Sequence, residues 1–371
     1  METRAALLMA QPGDLVHSVV ELDMPGPGEV LVEMRAAGLC HSDVHFMTGD
    51  QEAASLPYCL GHEGSGIVRE AGPGVTDFSV GDHVVASFIP ACGRCRMCAQ
   101  GAQHLCNNGA LIRAGTQLDG TCRMHLGGEP VAKMALLGTF SEWQVFDQLS
   151  LVKVPEHVPF DAAALLACGV PTGWGSAVHG AGVQPGDVVI VMGVGGVGIN
   201  AVQGAAHAGA RRVIAVDPVQ FKREMALKLG ATDAFAGMDE AADFARELTF
   251  GQGADSAIVT VSVVSSEAVA QAVASVCKLG TVALTAQGSD GTAGIPVLLG
   301  PLSTYQKRIQ GVLYGNEPPR SQIPKLVELY DAGLLKLDEL ITRRYPLDQV
   351  NQAHRDMIDG KNIRGIVDYA L

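Results

Sequence analysis

Four cysteines in one short segment are the clearest sign of chemistry in the chain. The stretch CGRCRMC carries Cys92, Cys95 and Cys98 at identical spacing, and Cys106 follows closely. Zinc favours tetrahedral ligation by thiolates at about 2.3 Å, and a site closed by four protein ligands is structural. Cysteines of a core or of disulfides do not usually cluster in this way in a chain without signs of secretion. The spacing therefore predicts a structural zinc ion, and any catalysis must take place elsewhere.

Three distant segments each hold another soft metal ligand. Cys40 lies in AAGLCHSDVH, His62 in LGHEGSG and Cys168 in ACGVPTGWGSA. A catalytic zinc needs three protein ligands and one open position. Sequence separation cannot show that these three side chains meet, because a single Cys or His is usually only packed in a core. The residues alone leave both interpretations open.

A glycine-rich turn predicts a dinucleotide site. The run 188–192 is continuously apolar, as a strand buried on both faces should be, and the pattern GxGxxG follows at once. Its first glycine makes a tight turn, its second lets a pyrophosphate approach the backbone, and its third lets the next helix pack on the strand. The N–H groups at the start of that helix can bind phosphates. The candidate cofactor-binding residues of this turn are Gly193, Gly195, Gly196, Val197 and Gly198.

An acidic residue ends the second strand of the same unit. Asp217 follows the apolar run 212–216. A carboxylate at this place can bind both ribose hydroxyls and would repel a 2′-phosphate, so NAD is favoured over NADP. Helices and strands alternate beyond it, including a helix over 265–280 and a strand over 281–287. This alternation predicts a doubly wound parallel sheet of the α/β class.

Composition narrows the classes of function. The chain has 371 residues, of which 47% are hydrophobic and 18% charged, and this describes a globular protein of about two domains. A net charge of −13 makes nucleic acid an unfavourable partner, which argues against a zinc-ribbon nucleic-acid binder. No apolar run is long enough for a membrane span, and the N-terminus does not fit a signal peptide. We therefore expect a cytoplasmic protein without a membrane partner.

Several motifs in register resemble one known family. Gly61-His62-Glu63-x2-Gly66-x5-Gly72-x2-Val75 matches the zinc signature of the zinc-dependent medium-chain alcohol dehydrogenases. The segments GLCHSD and CGVPTGWGSA, the four-cysteine loop and the glycine fingerprint stand in that family's order and spacing, over essentially the whole chain. The resemblance implies an oxidoreductase that converts an alcohol to an aldehyde or ketone with NAD and two zinc ions, one catalytic and one structural.

The resemblance also assigns roles around the catalytic zinc. It implies that Cys40, His62 and Cys168 bind the metal, a ligand set for which this family is itself the known case, so the match is no independent derivation. Glu63 would lie beside the metal and enter its coordination transiently. Asp43 would be the carboxylate that orients His62.

Further roles follow from the same resemblance. The proton of the alcohol would pass to Ser42 and then to His45, although without the resemblance both would be read as ordinary surface or turn residues. Cofactor contacts are implied for His41, Thr172, Lys222 and Arg364. His41 stands where many relatives carry an Arg against the pyrophosphate. Phe88, Phe140 and Trp143 would wall the substrate pocket, or pack in the core as aromatic residues more often do.

The implied architecture has two domains. Short alternating segments before residue 170, with Gly, Pro and Asp between them, suggest a mainly antiparallel barrel-like domain. By the resemblance this is a GroES-like catalytic zinc-binding domain of residues 1–169, to which the chain returns at 320–371. Residues 170–319 would form the Rossmann dinucleotide-binding domain. We also expect a homodimer or homotetramer.

Residues 109–143 and the segments around them resemble a bacterial branch of the family. These are the nicotinoprotein alcohol dehydrogenases, which keep NAD bound, are assayed with a nitrosoaniline acceptor and in many cases are associated with the redox peptide mycofactocin. The natural substrate would be a primary or small secondary alcohol. Two alternatives stay open: a thiol-dependent formaldehyde dehydrogenase of the same fold, and a zinc-stabilised binding protein without catalysis.

Overall fold

The computed structural model describes residues 1–287 and 294–371, which form two compact units. We call them the barrel unit, which comprises Met1–Cys168, Pro318–Ala332 and Leu337–Leu371, and the Rossmann unit, which comprises Gly169–Glu317 and Gly333–Lys336. No helix within the described residues combines the length and the apolarity that crossing a bilayer requires.

The elements are numbered in chain order. The strands are β1 (Glu2–Leu8), β2 (Leu15–Leu22), β3 (Glu29–Gly38), β4 (Tyr58–Cys59), β5 (Gly64–Ala71), β6 (His83–Ala86), β7 (Met124–Leu126), β8 (Glu129–Lys133), β9 (Trp143–Asp147), β10 (Leu151–Val154), β11 (Val188–Met192), β12 (Arg212–Val216), β13 (Asp233–Phe235), β14 (Ala254–Val259), β15 (Val276–Leu284), β16 (Arg308–Gly311), β17 (Ile341–Tyr345) and β18 (Arg364–Asp368). The helices are α1 (His41–Thr48), α2 (Arg96–Ala99), α3 (Phe160–Leu165), α4 (Gly169–Gly175), α5 (Gly198–His207), α6 (Gln220–Lys228), α7 (Met238–Leu248), α8 (Ser266–Ser275), α9 (Leu299–Thr304), α10 (Pro319–Asp331) and α11 (Val350–Ile358).

The barrel unit combines a closed barrel with a second sheet. Strands β1, β2, β7, β8 and β4 close the barrel, and the second sheet runs β10-β6-β5-β3-β18-β17 with β9 also paired to β3. Most of these pairs are antiparallel, while β4–β8 and β17–β18 are parallel. Successive side chains of a strand point to opposite faces. Accordingly Val30, Val32 and Met34 of β3 lie in one hydrophobic cluster and Leu31 lies in another, so β3 separates two cores.

The Rossmann unit contains a sheet of six parallel strands in the order β13-β12-β11-β14-β15-β16. Strand β11 lies at its centre, and its residues 188–191 are fully buried because helices cover both faces of such a sheet. The predicted fold class, a doubly wound parallel sheet with a mainly antiparallel barrel-like domain, is confirmed.

One predicted element is wrong in part. The helix expected over 265–280 ends at Ser275, and β15 begins at Val276. Leu279 adopts φ +64°, a left-handed conformation that no helix interior accepts, and the pairing of β14 with β15 shifts register between Ala254 and Ser256. An irregular start of the strand therefore replaces the last helical turns.

Candidate active site

The four-cysteine loop forms one tight cluster of sulfur atoms. The ligand atoms of Cys92, Cys95, Cys98 and Cys106 all lie within 4.8 Å of one another. Two of the Sγ–Sγ distances, Cys92–Cys98 and Cys95–Cys106, are each 3.9 Å. A tetrahedron with metal–sulfur bonds of about 2.3 Å has edges of about 3.8 Å. The donor set therefore fits a zinc ion closed in by four thiolates.

The backbone of the same loop stabilises thiolates. The N–H of Cys92 points to Cys106 Sγ at 3.3 Å, and the N–H of Cys95 points to Cys92 Sγ at 3.4 Å. N–H groups of Asn107 and Cys98 lower the pKa of Cys95 to about 6. Gly93 adopts φ +74°, which lets the chain turn around the cluster. Much of this site is thus made by local backbone geometry.

A second ligand group is assembled from three remote segments, all within the barrel unit. Cys40 precedes α1, His62 and Glu63 lie in the turn between β4 and β5, and Cys168 follows α3. Their ligand atoms lie within 4.8 Å of one another. His62 Nε2 is buried and makes no hydrogen bond within the described residues. A metal ion would give that nitrogen its missing partner, so these side chains fit a zinc ion as well.

Asp43 fixes the orientation of this group. Its fully buried carboxylate accepts hydrogen bonds from the backbone N–H groups of Cys40 and Gly61, each at 3.1 Å, and its Oδ1 lies 3.2 Å from His62 Nδ1. Burial alone would raise the pKa of Asp43, but His62 and then His354 outweigh it and hold that pKa far below its usual range. An ionised Asp43 keeps the proton of His62 on Nδ1, which leaves Nε2 free to bind metal.

The glycine turn leaves space where a phosphate group would lie. Gly193 adopts φ +87°, and a Cβ added to Gly198 would lie 1.8 Å from the carbonyl oxygen of Gly193. Above Gly195 the backbone is open, since the nearest atom to an added Cβ is Lys222 Nζ at 4.0 Å. Gly196 and Val197 complete the turn before α5. Gly193 thus allows the tight turn, Gly195 leaves the backbone open to a pyrophosphate, and Gly198 allows the close packing of helix α5.

Comparison with known proteins gives this arrangement a family. The alcohol dehydrogenase GroES-like domain matches residues 26–156, and the zinc-binding dehydrogenase family matches residues 196–332. The chain is 49% identical over 367 residues to the NDMA-dependent alcohol dehydrogenase of Amycolatopsis methanolica, with 99% of both chains covered. The chain belongs to the zinc-dependent medium-chain alcohol dehydrogenase family.

Other similarities agree with this membership. The chain is 45% identical over 372 residues to alcohol dehydrogenase B of Mycobacterium tuberculosis (strain CDC 1551 / Oshkosh), covering 100% of this chain and 99% of the other. A crystal structure of an alcohol dehydrogenase zinc-binding domain protein from Burkholderia ambifaria superposes with a TM-score of 0.93 at 31% identity, with 99% of each chain covered. The predicted family is confirmed, as is zinc as the metal suited to the two donor groups.

In this dehydrogenase the ligand atoms of Cys40 and Cys168 lie within 4.8 Å of each other, so the two thiols interact. The hydrogen bond from Cys168 holds the pKa of Cys40 well below its usual range, and the same hydrogen bond, together with burial, raises the pKa of Cys168. Metal ligation requires both cysteines as thiolates.

Helix α1 presents the expected proton-relay residues. Ser42 Oγ lies 3.7 Å from Cys40 Sγ, so this hydroxyl is next to the ligand group. His45 follows three residues later, on the same side of the helix. Its Nδ1 lies 3.5 Å from Asp50 Oδ2, a carboxylate that is half exposed. His41 occupies the first residue of the same helix and is half-buried.

The remaining cofactor candidates lie in both units. Asp217 is buried, and its carboxylate accepts the backbone N–H groups of Val194 at 3.1 Å and Val219 at 2.9 Å. Thr172 lies in α4 of the Rossmann unit. Arg364, expected at the pyrophosphate, opens β18 of the barrel unit, where its buried guanidinium is ion-paired with Glu63 Oε2.

The sequence interpretation missed two partners of the ligand group. It did not predict the ion pair between Arg364 and Glu63. It also did not mention His354, whose Nε2 lies 3.9 Å from Asp43 Oδ2. Burial of His354 on α11 follows the helical spacing of its apolar neighbours Val350, Ala353 and Met357, so the pattern could have indicated a buried histidine. No local pattern could have identified the carboxylate that it faces.

Proposed function

We propose that this protein oxidises a primary or small secondary alcohol to the aldehyde or ketone by hydride transfer to NAD. The observation that carries the proposal is the convergence of Cys40, His62 and Cys168 around the unpartnered His62 Nε2, in a chain that already has a separate four-cysteine group. A binding protein stabilised by zinc would need only the cysteine loop. A second, buried group with three protein ligands and Glu63 beside them is the arrangement that catalysis needs.

A zinc ion held by these residues supplies Lewis-acid chemistry, which makes the hydroxyl of a bound alcohol much more acidic. The chain's own residues would then handle the proton. Ser42 Oγ, which lies 3.7 Å from Cys40 Sγ, would accept it, and His45 would pass it on from the same face of α1. Asp50 Oδ2 lies 3.5 Å from His45 Nδ1, on the side of the ring that would pass the proton onward.

We assign NAD binding to the Rossmann unit. Gly193, Gly195 and Gly198 shape the turn for the pyrophosphate, and Lys222 Nζ lies close enough to Gly195 to contact the same cofactor. Asp217 is held by two backbone N–H groups and would accept hydrogen bonds from the adenosine ribose. Its negative charge disfavours a 2′-phosphate, which supports NAD over NADP.

We further propose that NAD stays bound between turnovers and is reoxidised by an external acceptor, such as a redox peptide. Similarity to an NDMA-dependent alcohol dehydrogenase supports this. We also propose action in the cytoplasm, where nine free cysteines would stay reduced, and assembly into a homodimer or homotetramer.

The test begins with the contents of the purified protein. Denaturing it and assaying zinc and NAD should give two zinc ions per chain and near-stoichiometric NAD. An empty cofactor site that turns over with added NAD would instead indicate an ordinary dehydrogenase.

The variant Cys40→Ala should lose one zinc ion and its turnover yet stay folded. The matched control is Cys122→Ala, because Cys122 belongs to neither ligand group. Full activity of Cys40→Ala would refute the assigned metal role.

A further inference from the structure

A histidine buried behind the ligand group has no assigned role. His354 lies on α11 with 1% of its surface exposed, among the buried apolar residues Val350, Ala353 and Met357. Its ring packs edge-on against Phe140 at a centroid distance of 5.5 Å. Burying a polar ring in such surroundings is unfavourable unless its nitrogens find partners.

The two ring nitrogens of His354 face different partners. Nδ1 lies 2.9 Å from the carbonyl oxygen of Val350. Nε2 is buried and makes no hydrogen bond within residues 1–287 and 294–371. It lies 3.9 Å from Asp43 Oδ2, an ion-pair distance longer than a hydrogen bond. A hydrogen on Nε2 would attract this carboxylate, whereas a lone pair there would repel it.

We propose that His354 is a positioning residue of the catalytic metal group, whose Nε2 faces and holds the Asp43 carboxylate that orients His62. This role rests on the proposed function, because it presupposes that Cys40, His62 and Cys168 bind zinc. It extends the chain of contacts from the metal ligand through α1 to a helix near the C-terminus of the sequence. Groups that orient metal ligands typically change metal affinity by about 10- to 100-fold when they are removed.

Helix α11 offers a matched control for this role. Asp356 lies two residues from His354, is equally buried from solvent, and accepts hydrogen bonds from Arg343 Nη1 and Tyr345 Oη, each at 2.9 Å. This network anchors the helix to β17 without contacting Asp43. The variant Asp356→Asn therefore weakens the packing of α11 while leaving the ring of His354 in place.

The experiment measures how fast each zinc ion passes to a chromogenic chelator. Zinc release from the wild type should show two kinetic phases, one for each ion. Cys40→Ala should keep only the four-cysteine zinc, so the phase that remains in this variant belongs to that ion. In His354→Phe the catalytic zinc should leave about 10-fold faster than in the wild type, while the four-cysteine zinc keeps its rate. His354→Gln, whose amide nitrogen can occupy the place of Nε2, should stay near the wild-type rate, and Asp356→Asn should do the same.

A second pair of variants covers the case in which His354→Phe does not fold. His354→Asn can still satisfy Val350 O but cannot reach Asp43, so it should release the catalytic zinc faster than His354→Gln. Cobalt substituted for the catalytic zinc should show a changed d–d spectrum in His354→Asn and an unchanged one in His354→Gln. Equal release rates for the Asn and Gln variants, or equal acceleration by Asp356→Asn, would overturn the role of His354. A wild type that holds only the four-cysteine zinc would overturn the proposed function itself.

Discussion

The two metal-ligand groups of this dehydrogenase use similar donors in opposite ways. The four-cysteine loop takes all its ligands from one segment, and backbone N–H groups of the same loop stabilise its thiolates. The second group, which we propose to be catalytic and call the catalytic group, takes Cys40, His62 and Cys168 from segments far apart, and the buried Asp43 lies against His62. The first group needs only a short piece of chain to form. The second exists only once the barrel unit has folded.

This difference has a chemical consequence. A site closed by four thiolates has no position left for a substrate, so it can stabilise structure and nothing more. In the catalytic group Glu63 is ion-paired with Arg364. Glu63 is therefore not needed as a fourth permanent ligand, and one coordination position can stay open for a substrate. Burial raises the pKa of Glu63, and the ion pair with Arg364 opposes that rise. The two groups should therefore respond very differently to loss of one ligand.

The largest expected effect is on turnover when one catalytic ligand is removed. Cys168→Ser should lower kcat on the order of 10³-fold or more, because Lewis-acid stabilisation contributes several kcal/mol and each 1.36 kcal/mol is a factor of ten. Unfolding temperature should change little. Steady-state kinetics and calorimetry of the same preparation measure both quantities. A variant that keeps more than a tenth of the wild-type kcat would mean that the two groups do not differ in the way described.

The proton relay should give the next largest effect. Ser42→Ala should lower kcat about 100-fold, at the low end of what positioned proton transfer contributes, since water can replace the hydroxyl in part. The matched control is Ser141→Ala, which removes a buried hydroxyl of the same unit that donates to Trp143 O at 2.8 Å. Comparison of kcat and of its solvent isotope effect for the two variants tests the assignment. Equal losses in both would show that Ser42 has only a structural role.

Sequence patterns predicted the local features best. Strand 188–192 was expected with the bounds it has, because an uninterrupted apolar run between turn residues has few alternatives. The four-cysteine group was predicted from spacing alone, since all its ligands lie in one loop. The helix over 265–280 was predicted too long, because its apolar residues also suit the strand that begins at Val276.

Contacts between distant segments were beyond such patterns. The catalytic ligands could be chosen only by resemblance to a family, since each of them alone looks like a core residue. The pairing of Arg364 with Glu63 and the approach of His354 to Asp43 depend on how β18 and α11 pack against the rest of the barrel unit. Packing of this kind is decided by the whole fold and not by any short stretch of sequence.

A smaller effect is expected at the cofactor carboxylate. Asp217→Asn should raise the KM for added NAD about 10-fold in cofactor-depleted enzyme, because hydrogen bonds to a charged group contribute about 1.5–3 kcal/mol. The KM for NADP should rise less or fall, since repulsion of its 2′-phosphate is relieved. Asp233→Asn is the control, because it removes another carboxylate charge from the Rossmann unit. Asp233 is the first residue of β13, and its Oδ2 lies 3.6 Å from Arg212 Nη1. An unchanged ratio of the two KM values would remove Asp217 from the ribose site.

The smallest effect on turnover is expected at the four-cysteine loop. Cys98 is buried within it, and Cys98→Ser should release the structural zinc and free the loop for proteolysis between residues 92 and 106. The unfolding temperature should fall by a few °C, at about 2–4 °C per kcal/mol for larger domains, while kcat of the still-folded fraction changes less than about threefold. Cys122→Ser, a half-buried cysteine of the same unit outside both groups, should change neither quantity. Both variants are compared at a temperature at which both are folded. If Cys98→Ser then lowers kcat as much as Cys168→Ser does, the loop takes part in catalysis, and the contrast between the two groups does not hold.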